Sequence, residues 1–550
     1  MKADKIFKNA KIFTSDCKNP KATALVVKDG KFVYVGDEAG LSAYEGEVVD
    51  LGGKFIMPGI FDSHVHVTLP VGFAYSDTGE RFAWNGKQEA LDFMANYIAK
   101  NPGRKCYRFI LEKKDLLGET LTYKDLDAIC PDADLQIQEA EFHSVWVNSR
   151  VLKRHGITDD TPDPVPGLSV YERKDGHVTG YIIEGSAETR IILDGTLDLT
   201  DEQIDAALQS WIDFSVEHGV TAVFDAGIPG FPEAHEHIMK RLCALDKQGK
   251  LPVYVDNCYV IAANWQAEDG LKELKRFRKE YSTPHHQVHT MKIFMDGTQK
   301  IRTAAMLTPY EGTQEKGATA FNKEDLAALM VKLNAEGLDL HMHTVGSAAS
   351  HVALDAVEIA RKELGDKFTM KVTCAHLEVQ DDADMGRFAK LGVIANYTPW
   401  WHAADPQVLT PVIGYERARK MFRCKTMWDS GALVTWSSDN VVYDFPCWNP
   451  FLGMEVGMTR QITEKTNSHA FTRTTAVFPP ENERMGIEEM LLGYTINGAK
   501  QLGVEATKGS ITVGKDADFL VLEKDLLTQP QEGFSFNLPQ EVYFGGKKVN

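Results

Sequence analysis

Short runs of alternating apolar and polar residues occur at both ends of the chain. Residues 4–54 contain DKIFKNAKIFT and TALVVKDGKFVYVGD, and the second run turns at Asp29–Gly30, a pair typical of β-hairpins. The alternation returns in residues 509–549. A period of two predicts strands with one buried face, so we expect the termini to form one β-sandwich domain, residues 1–57 plus 505–550.

Between the termini, residues 58–504 repeat a strand followed by a helical segment. The first strand ends at His66, and the others are VTAVFD (220–225), PVYVDNC (252–258), TMKIFM (290–295), LDLHMH (338–343), KVTCAH (371–376), GVIANY (392–397) and ALVTWSSD (432–439). Residues 348–364 fit a helix with Val352, Ala356, Ile359 and Ala360 along one face. Eight such strands predict an α/β protein built on a (β/α)8 TIM-type barrel.

The interval between the first two strands, at about residues 68–219, is too long for a loop. It contains strand-like runs of its own, RFILEKK, DLQIQEAEFHSVWVN and GHVTGYIIEG. We therefore predict an inserted subdomain after the first barrel strand. Because barrel enzymes build their sites at the carboxyl ends of the strands, the insertion is expected to lie over the barrel mouth.

Candidate metal ligands begin with His64 and His66, which are separated only by Val65. Side chains on a strand alternate between faces, so the two imidazoles point the same way. Neutral imidazole is a preferred ligand of zinc and similar metals. The pair therefore predicts half of a metal site.

Four polar residues end other predicted strands, namely Lys292, His343, His376 and Asp439. Each has a structural alternative: a surface lysine, a histidine bonded to backbone, or a helix N-cap. Strand ends of a barrel converge on one cavity, which favours a single site. His341 shares the face of His343 and competes with it.

Composition limits the partners. The 550 residues carry a net charge of −18 and are 43% hydrophobic, without a basic block for nucleic acid. The eight cysteines form no CxxC pair, and no run reaches the length of a membrane span. The start MKADKIFKNA lacks the apolar core of a signal peptide. We expect a soluble cytoplasmic protein acting on a small molecule, with a homodimer as the commonest assembly.

Several longer motifs occur together: PGIFDSHVHV (58–67), FHSVWVNS (142–149), TGYIIEGSA (179–187), HGVTAV (218–223), MKIFMDGTQKIRTAAMLTPY (291–310), HTVGSAA (343–349), AHLEV (375–379), SSDNVV (437–442) and TINGAKQLGVEATKGSITVGKDADFLVL (495–522). In this combination the chain resembles the metal-dependent amidohydrolase superfamily. It is similar in particular to the YtcJ-like branch, which includes N-substituted formamide deformylase. The resemblance runs nearly end to end.

The resemblance implies a barrel, a flanking β-sandwich and hydrolysis by a metal-activated water. The implied ligands of one or two divalent ions, expected to be zinc, are His64, His66, Lys292, His343, His376 and Asp439. Lys292 is implied as a carboxylated lysine that bridges two ions, and Asp439 also as the catalytic base. The Thr-Val-Gly after His343 matches the family, which favours His343 over His341.

Substrate-binding candidates come from three segments. His143 and Glu184 match family positions that would face the site. Trp400 and His402 lie in TPWWHAAD after the seventh strand, where His402 either contacts substrate or faces solvent. Other aromatic residues either line an apolar pocket or anchor packing: Trp84, Trp401, Trp448 and Phe451. Ser347 stands where the branch usually has an acidic residue.

The predicted function is hydrolysis of an amide or related C–N bond of a small molecule. A deaminase of a small heterocycle is one alternative. Such enzymes usually carry a His-x-x-Glu pair, whereas Gly346 and Val379 occupy the third position after His343 and His376. A non-catalytic binding protein of the same fold is the other alternative. Such relatives generally lose ligands, whereas this chain keeps the whole set.

Overall fold

An eight-stranded parallel barrel forms the centre of the computed structural model, which describes residues 1–75, 79–113, 120–139, 142–194, 198–403, 406–441, 449–468, 477 and 481–550. Each barrel strand pairs with the next along the chain. The strands are Ile60–Val65, Val220–Asp225, Tyr254–Ile261, His286–Phe294, Asp339–Thr344, Val372–His376, Ile394–Tyr397 and Val434–Trp436. All eight predicted strands are therefore confirmed, with shifted ends in most of them.

The barrel closes where its first and last strands end. The backbone N–H of Asp439 donates to the carbonyl of His64 at 2.9 Å, and that of His66 donates to the carbonyl of Asn440 at 3.0 Å. These two bonds join the start of the barrel to its end. They also hold the predicted ligands of the first and eighth strands side by side.

The fourth strand shows how alternation fills the barrel. Met291 and Ile293 belong to the main hydrophobic core shared with the surrounding helices, whereas Lys292 is buried on the opposite face. Burying an aliphatic side chain of this size is worth about 1.5–3 kcal/mol. A one-residue slip would lose both burials and turn the lysine outward, so the apolar pair fixes the register.

Helices surround the barrel and continue into the insertion. They are Thr68–Phe73, Lys87–Lys100, Tyr123–Ile129, Ser149–Arg154, Gly185–Ile192, Asp201–Glu217, Pro232–Lys247, Ala267–Tyr281, Lys323–Ala335, Ser347–Leu364, Met385–Leu391, Pro406–Ile413, Tyr415–Ala418, Cys424–Asp429, Pro450–Thr459, Ile487–Leu492 and Gly498–Gln501. In Ser347–Leu364 the buried face includes Ala353, Ala356 and Ala360, but Ile359 is 36% exposed. The prediction that Ile359 lies on the apolar face was wrong. No helix within the described ranges is both long and apolar enough to cross a membrane.

Two sheets from the chain termini pack on one another. One contains Lys31–Gly36, Ala24–Lys28, Lys2–Lys8 and Glu45–Asp50; the other contains Lys547–Lys548, Glu541–Phe544, Phe519–Leu522, Phe55–Pro58, Lys11–Phe13 and Lys21–Ala22. Phe7 of the first sheet meets Phe519 of the second edge-on, with ring centroids 5.2 Å apart. Asp29 and Gly30 have φ values of 50° and 76°, as a two-residue hairpin turn requires. The exact domain boundaries stay a prediction.

The insertion forms a third sheet. Its strands, in spatial order, are Val170–Lys174, His177–Ile183, Ser144–Val147, Asp134–Glu139, Cys106–Lys113 and Glu80–Ala83. A separate hydrophobic cluster lies against this sheet, built around Phe109, Leu135 and Trp146. The insertion thus has its own core.

Candidate metal centre

The carboxyl ends of five barrel strands bring the predicted metal ligands together. They are His64 and His66 at the first strand, Lys292 on the fourth, His343 on the fifth, His376 on the sixth, and Asp439 just beyond the eighth. The histidines and the lysine are buried, and the side chain of Asp439 is 11% exposed. A polar cluster this deep needs partners for its nitrogen and oxygen atoms.

Asp439 is the carboxylate at the centre of the cluster. Its Oδ1 lies 3.5 Å from His64 Nε2 and 3.3 Å from His66 Nε2, and its Oδ2 lies 3.8 Å from His376 Nδ1. The candidate ligand atoms of His64, His66 and Asp439 all lie within 4.8 Å of one another. Ligands about 2.0–2.2 Å from one tetrahedral zinc ion are roughly 3–4 Å apart, so this spacing fits a shared ion.

Lys292 points into the same cluster, as its alternation with apolar neighbours predicted. Its Nζ lies 3.3 Å from His64 Nε2. Burial lowers the pKa of Lys292 to about 8, although Asp439 opposes the shift. The neutral amine is therefore far more accessible here than at a solvated lysine.

His343 and His376 complete the cluster, with ring centroids 4.5 Å apart. His343 Nε2 donates to the carbonyl of Gly297 at 3.2 Å, which leaves Nδ1 as the nitrogen with a lone pair. Burial lowers the pKa of both histidines well below the ordinary value, so both rings are neutral. Neutral rings are the form that binds a metal.

His341 takes a different place from its competitor His343. Its Nε2 lies 2.9 Å from His64 Nδ1, and its ring stacks on Phe224 with centroids 4.4 Å apart. His341 therefore supports the far side of the His64 ring. If His64 Nδ1–H donates to His341, the lone pair of His64 Nε2 faces Asp439 and Lys292.

The sequence as a whole matches a known protein family. A model described as "Amidohydrolase family" matches residues 47–549. The chain belongs to the amidohydrolase family. Over 94% of its length it is 25% identical to YtcJ of Bacillus subtilis and 25% identical to the N-substituted formamide deformylase of Arthrobacter pascens, covering 93% of each.

Solved structures support the fold of this amidohydrolase. A metal-dependent hydrolase from Pyrococcus horikoshii superposes with a TM-score of 0.67 at 22% identity, over 96% of this chain and 99% of that one. That likeness concerns the fold, whereas the family match over residues 47–549 makes the protein a hydrolase of the amidohydrolase superfamily, and the His64, His66 and Asp439 cluster could hold a divalent ion. The predicted similarity to the YtcJ-like branch is confirmed.

The insertion of this amidohydrolase reaches the metal centre through His143 and Glu184. His143 Nδ1 lies 2.8 Å from Glu184 Oε2, and its ring centroid lies 5.7 Å from that of His343. Glu184 Oε1 in turn accepts a hydrogen bond at 3.2 Å from the N–H of Thr298, in the loop after the fourth strand. Burial alone would lower the pKa of His143, but Glu184 raises it to about 9. The insertion thus places a charged imidazolium at the barrel mouth.

The aromatic candidates divide between the site and the packing. Trp401 stacks on His376, with ring centroids 5.5 Å apart and planes 19° apart. Trp400 instead donates its indole N–H to the carbonyl of Ser438 at 2.8 Å. Trp84 packs on the core of the insertion and Phe451 in the main core, while Trp448 lies outside the described residues. Trp401 therefore contacts a predicted ligand.

His402 is fully buried rather than facing substrate or solvent. Its ring stacks on Phe422 with centroids 5.0 Å apart, and its Nδ1 lies 3.7 Å from Cys424 Sγ. The aromatic contacts of its ring are with Tyr397 and Phe422, and not with the metal-centre histidines. His402 follows Trp401 within the 3-10 helix Pro399–Ala403, where successive side chains point in different directions, so its ring packs on Phe422 while that of Trp401 stacks on His376.

Glu378 and Gln299 are polar residues near the site that were not among the predicted site residues. Glu378, two residues after His376, is buried and accepts a hydrogen bond at 2.6 Å from the amide of Gln299. The sequence signal was present, because both residues lie in motifs that carry the family resemblance. Ser347, found where relatives usually have an acidic residue, accepts a hydrogen bond at 3.1 Å from the backbone N–H of Leu307.

Proposed function

We propose that this amidohydrolase cleaves an amide or related C–N bond of a small molecule. The observation that carries the proposal is the buried cluster of imidazoles around the carboxylate of Asp439. Such a set binds a divalent cation and leaves a carboxylate beside it for proton transfer. The similarity to an N-substituted formamide deformylase over 94% of this chain supports the choice of bond.

The residues present fit one or two zinc-like ions. His376 Nδ1 and Asp439 Oδ1 are buried and have no hydrogen-bond partner among the described residues. Buried polar atoms without partners are costly, and a bound cation would satisfy both of these. His64, His66 and His343 would supply the remaining imidazole ligands. When bound, the ion lowers the pKa of a water and polarises a carbonyl group.

Lys292 decides whether a second ion is held. Its amine lies among the ligands at 3.3 Å from His64, where an ammonium would repel any cation. Reaction of the amine with carbon dioxide forms an N–C bond, releases a proton and gives a carbamate with two anionic oxygens. A carbamate at this position would bridge two ions, and we propose this modification for Lys292.

Asp439 and the insertion supply the remaining roles. Asp439 accepts a proton from the attacking water and passes it to the leaving nitrogen. His143, charged and held by Glu184, donates from Nε2 to the carbonyl oxygen of the substrate. Trp401, stacked on His376, provides an apolar wall for the substrate's side group. The deaminase alternative has less support, because Gly346 and Val379 occupy the third position after His343 and His376, where such enzymes usually carry a glutamate.

The test begins with metal content and ends with a substrate screen. Purified protein should contain zinc or a similar ion, and a His64→Ala, His66→Ala variant should lose both metal and activity. His237→Ala is the matched control, because His237 is exposed and pairs with Asp201 on the outer helices. The screen compares N-substituted formamides and N-acyl amines with amino-substituted heterocycles. Ammonia release from the heterocycles alone would overturn the amide hydrolase assignment, and folded wild-type protein without metal would overturn the whole proposal.

A further inference from the structure

Three of the buried aspartates of the barrel are Asp62, Asp225 and Asp296. Each of these three lies on or just after one barrel strand and accepts hydrogen bonds from backbone N–H groups next to a proposed ligand of the neighbouring strand. We call them the bridging aspartates. None belongs to the ligand set. Resting on the metal site proposed above, we propose that they are positioning residues that set its metal affinity.

Asp296 makes the densest of these connections. It follows the fourth strand, and its Oδ1 accepts a hydrogen bond from the N–H of Val345 at 2.9 Å. Its Oδ2 accepts hydrogen bonds from the N–H groups of Gly346 at 2.8 Å and Ala305 at 2.9 Å. Val345 and Gly346 directly follow Thr344, the last residue of the strand that carries His343. Both carboxylate oxygens of Asp296 therefore hold the segment that aims His343.

Asp225 holds the turn after His66. Its Oδ1 accepts hydrogen bonds from the N–H groups of Val67 and Gly227, each at 3.1 Å. The carbonyl of Gly227 in turn accepts from His66 Nδ1 at 2.5 Å. Fixing that carbonyl fixes the ring orientation and tautomer of His66, so that Nε2 keeps its lone pair toward Asp439. Asp225 Oδ2 accepts from the amide of Asn257 at 3.1 Å.

Asp62 holds the turn that carries Asp439. Its Oδ1 accepts from the backbone N–H of Ser438 at 2.9 Å, and its Oδ2 accepts from the hydroxyl of the same serine at 2.5 Å. Ser438 directly precedes Asp439, whose φ of 48° is unusual for a residue other than glycine. A conformation of this kind persists only where the surroundings hold it. Asp62 is one of the groups that do so.

The three connections differ in how well an asparagine could replace them. At Asp296 both oxygens accept hydrogen bonds from backbone N–H groups. In Asp296→Asn the amide NH2 would therefore face at least one N–H donor, and that hydrogen bond would be lost. At Asp225 the NH2 could face Asn257 and His235 Nε2, which lies 3.5 Å from Asp225 Oδ2, but only if the Asn257 amide reversed and gave up its hydrogen bond from the N–H of Cys258. At Asp62 it could donate to the Ser438 hydroxyl, which can rotate. Asp296→Asn should therefore have the largest effect on metal binding, and Asp62→Asn the smallest.

The experiment measures zinc affinity by chelator competition in each Asp→Asn variant, alongside the melting temperature of metal-free protein. Loss of an outer partner of a metal ligand typically costs about 10–100-fold in affinity. We expect Asp296→Asn to fall in this range and Asp62→Asn to fall below about tenfold. Asp246→Asn is the matched control, because Asp246 accepts from the backbone N–H of His285 at 2.9 Å, at the opposite end of the barrel.

The outcomes separate positioning from mere structure. A cobalt-substituted Asp296→Asn protein should show an altered visible spectrum, whereas Asp246→Asn should match wild type. Melting temperatures that fall while zinc affinity and the cobalt spectrum stay at wild-type values would overturn the inference. If Asp296→Asn fails to fold, Asp225→Asn provides the same comparison. Wild-type protein that binds no metal would instead overturn the proposed function.

Discussion

Two clusters of the same residue types lie at opposite ends of the barrel. At the carboxyl end, the carboxylate of Asp439 faces several imidazoles and the amine of Lys292. At the amino end, His289 lies between two carboxylates, with Nδ1 3.0 Å from Asp256 Oδ1 and Nε2 3.5 Å from Asp339 Oδ2. Both clusters are largely buried, so the charged groups of each cluster must be stabilised by neighbouring protein groups rather than by water.

The proportion of histidine to carboxylate separates the two clusters. Burial would lower the pKa of His289, but Asp256 and then Asp339 raise it to about 10, so an imidazolium lies between the two acids and offsets part of their charge. At the mouth, burial lowers the pKa of His64 and Lys292 also lowers it, so that ring keeps a lone pair. The amino-end cluster uses its imidazole as a cation between two carboxylates, whereas the mouth cluster sets imidazole lone pairs beside a carboxylate, an arrangement that can bind a metal ion. This difference, more than the residue types, marks the functional end.

The largest expected effect is on catalysis at the mouth. Asp439→Asn keeps the shape of the side chain but removes the charge that holds metal and accepts a proton. Loss of a general base typically costs about 10²–10⁴-fold in rate. We expect kcat to fall within this range while circular dichroism stays unchanged. Near wild-type turnover would show that another residue is the base.

Lys292→Ala tests whether the mouth cluster carries a covalent modification. Elemental analysis should show metal stoichiometry falling from two ions to one or less. Added bicarbonate does not restore a carbamate on alanine, but a short-chain carboxylate can occupy the vacated space and partly restore activity. Lys292→Met, which retains length without an amine, is the control for packing. Electron density for an unmodified Lys292 amine beside a single metal ion would exclude the bridge and leave a mononuclear hydrolase.

The amino-end cluster should respond to pH rather than to metal. The folded pKa of His289 is about 10, above an unfolded value of about 6.5. Its stabilising contribution is therefore complete below about pH 6.5 and is lost as pH rises toward 10. His289→Gln should be less stable by about 1–3 kcal/mol at pH 6, with the gap narrowing by pH 10 in urea unfolding. The zinc content of His289→Gln should equal that of wild type. A loss of zinc would contradict the conclusion that the amino-end cluster is separate from the metal site.

The smallest expected effect on chemistry is at His402. Because its ring is buried against Phe422 and Cys424, His402→Ala should lower the free energy of unfolding by about 0.5–3 kcal/mol. Relative kcat/KM values across several substrates should stay at wild-type ratios. Cys424→Ala, which removes the neighbouring contact, is the matched control. If His402→Ala changed the substrate preference and Cys424→Ala did not, the result would show that His402 contacts the substrate.

Local sequence was sufficient for the barrel and for most of the proposed ligands. Strand segments of period two alternate with helical segments, and this local pattern does not depend on distant contacts. Alternation also placed Lys292 inside the barrel, because its neighbours Met291 and Ile293 are apolar. The shared direction of His64 and His66 could likewise be predicted from sequence, because residues i and i+2 of a strand lie on the same face.

Only the tertiary structure decided between residues whose local settings look alike. His341 and His343 share one face of a strand, yet depth in the barrel makes one a support of His64 and leaves the other at the mouth. Trp400, Trp401 and His402 are consecutive in one 3-10 helix, yet Trp401 stacks on His376, Trp400 donates to the carbonyl of Ser438 and His402 packs on Phe422. The bridging aspartates act on turns far away in sequence, and His143 reaches His343 from the insertion. Such contacts depend on how distant segments pack, which local periodicity does not encode.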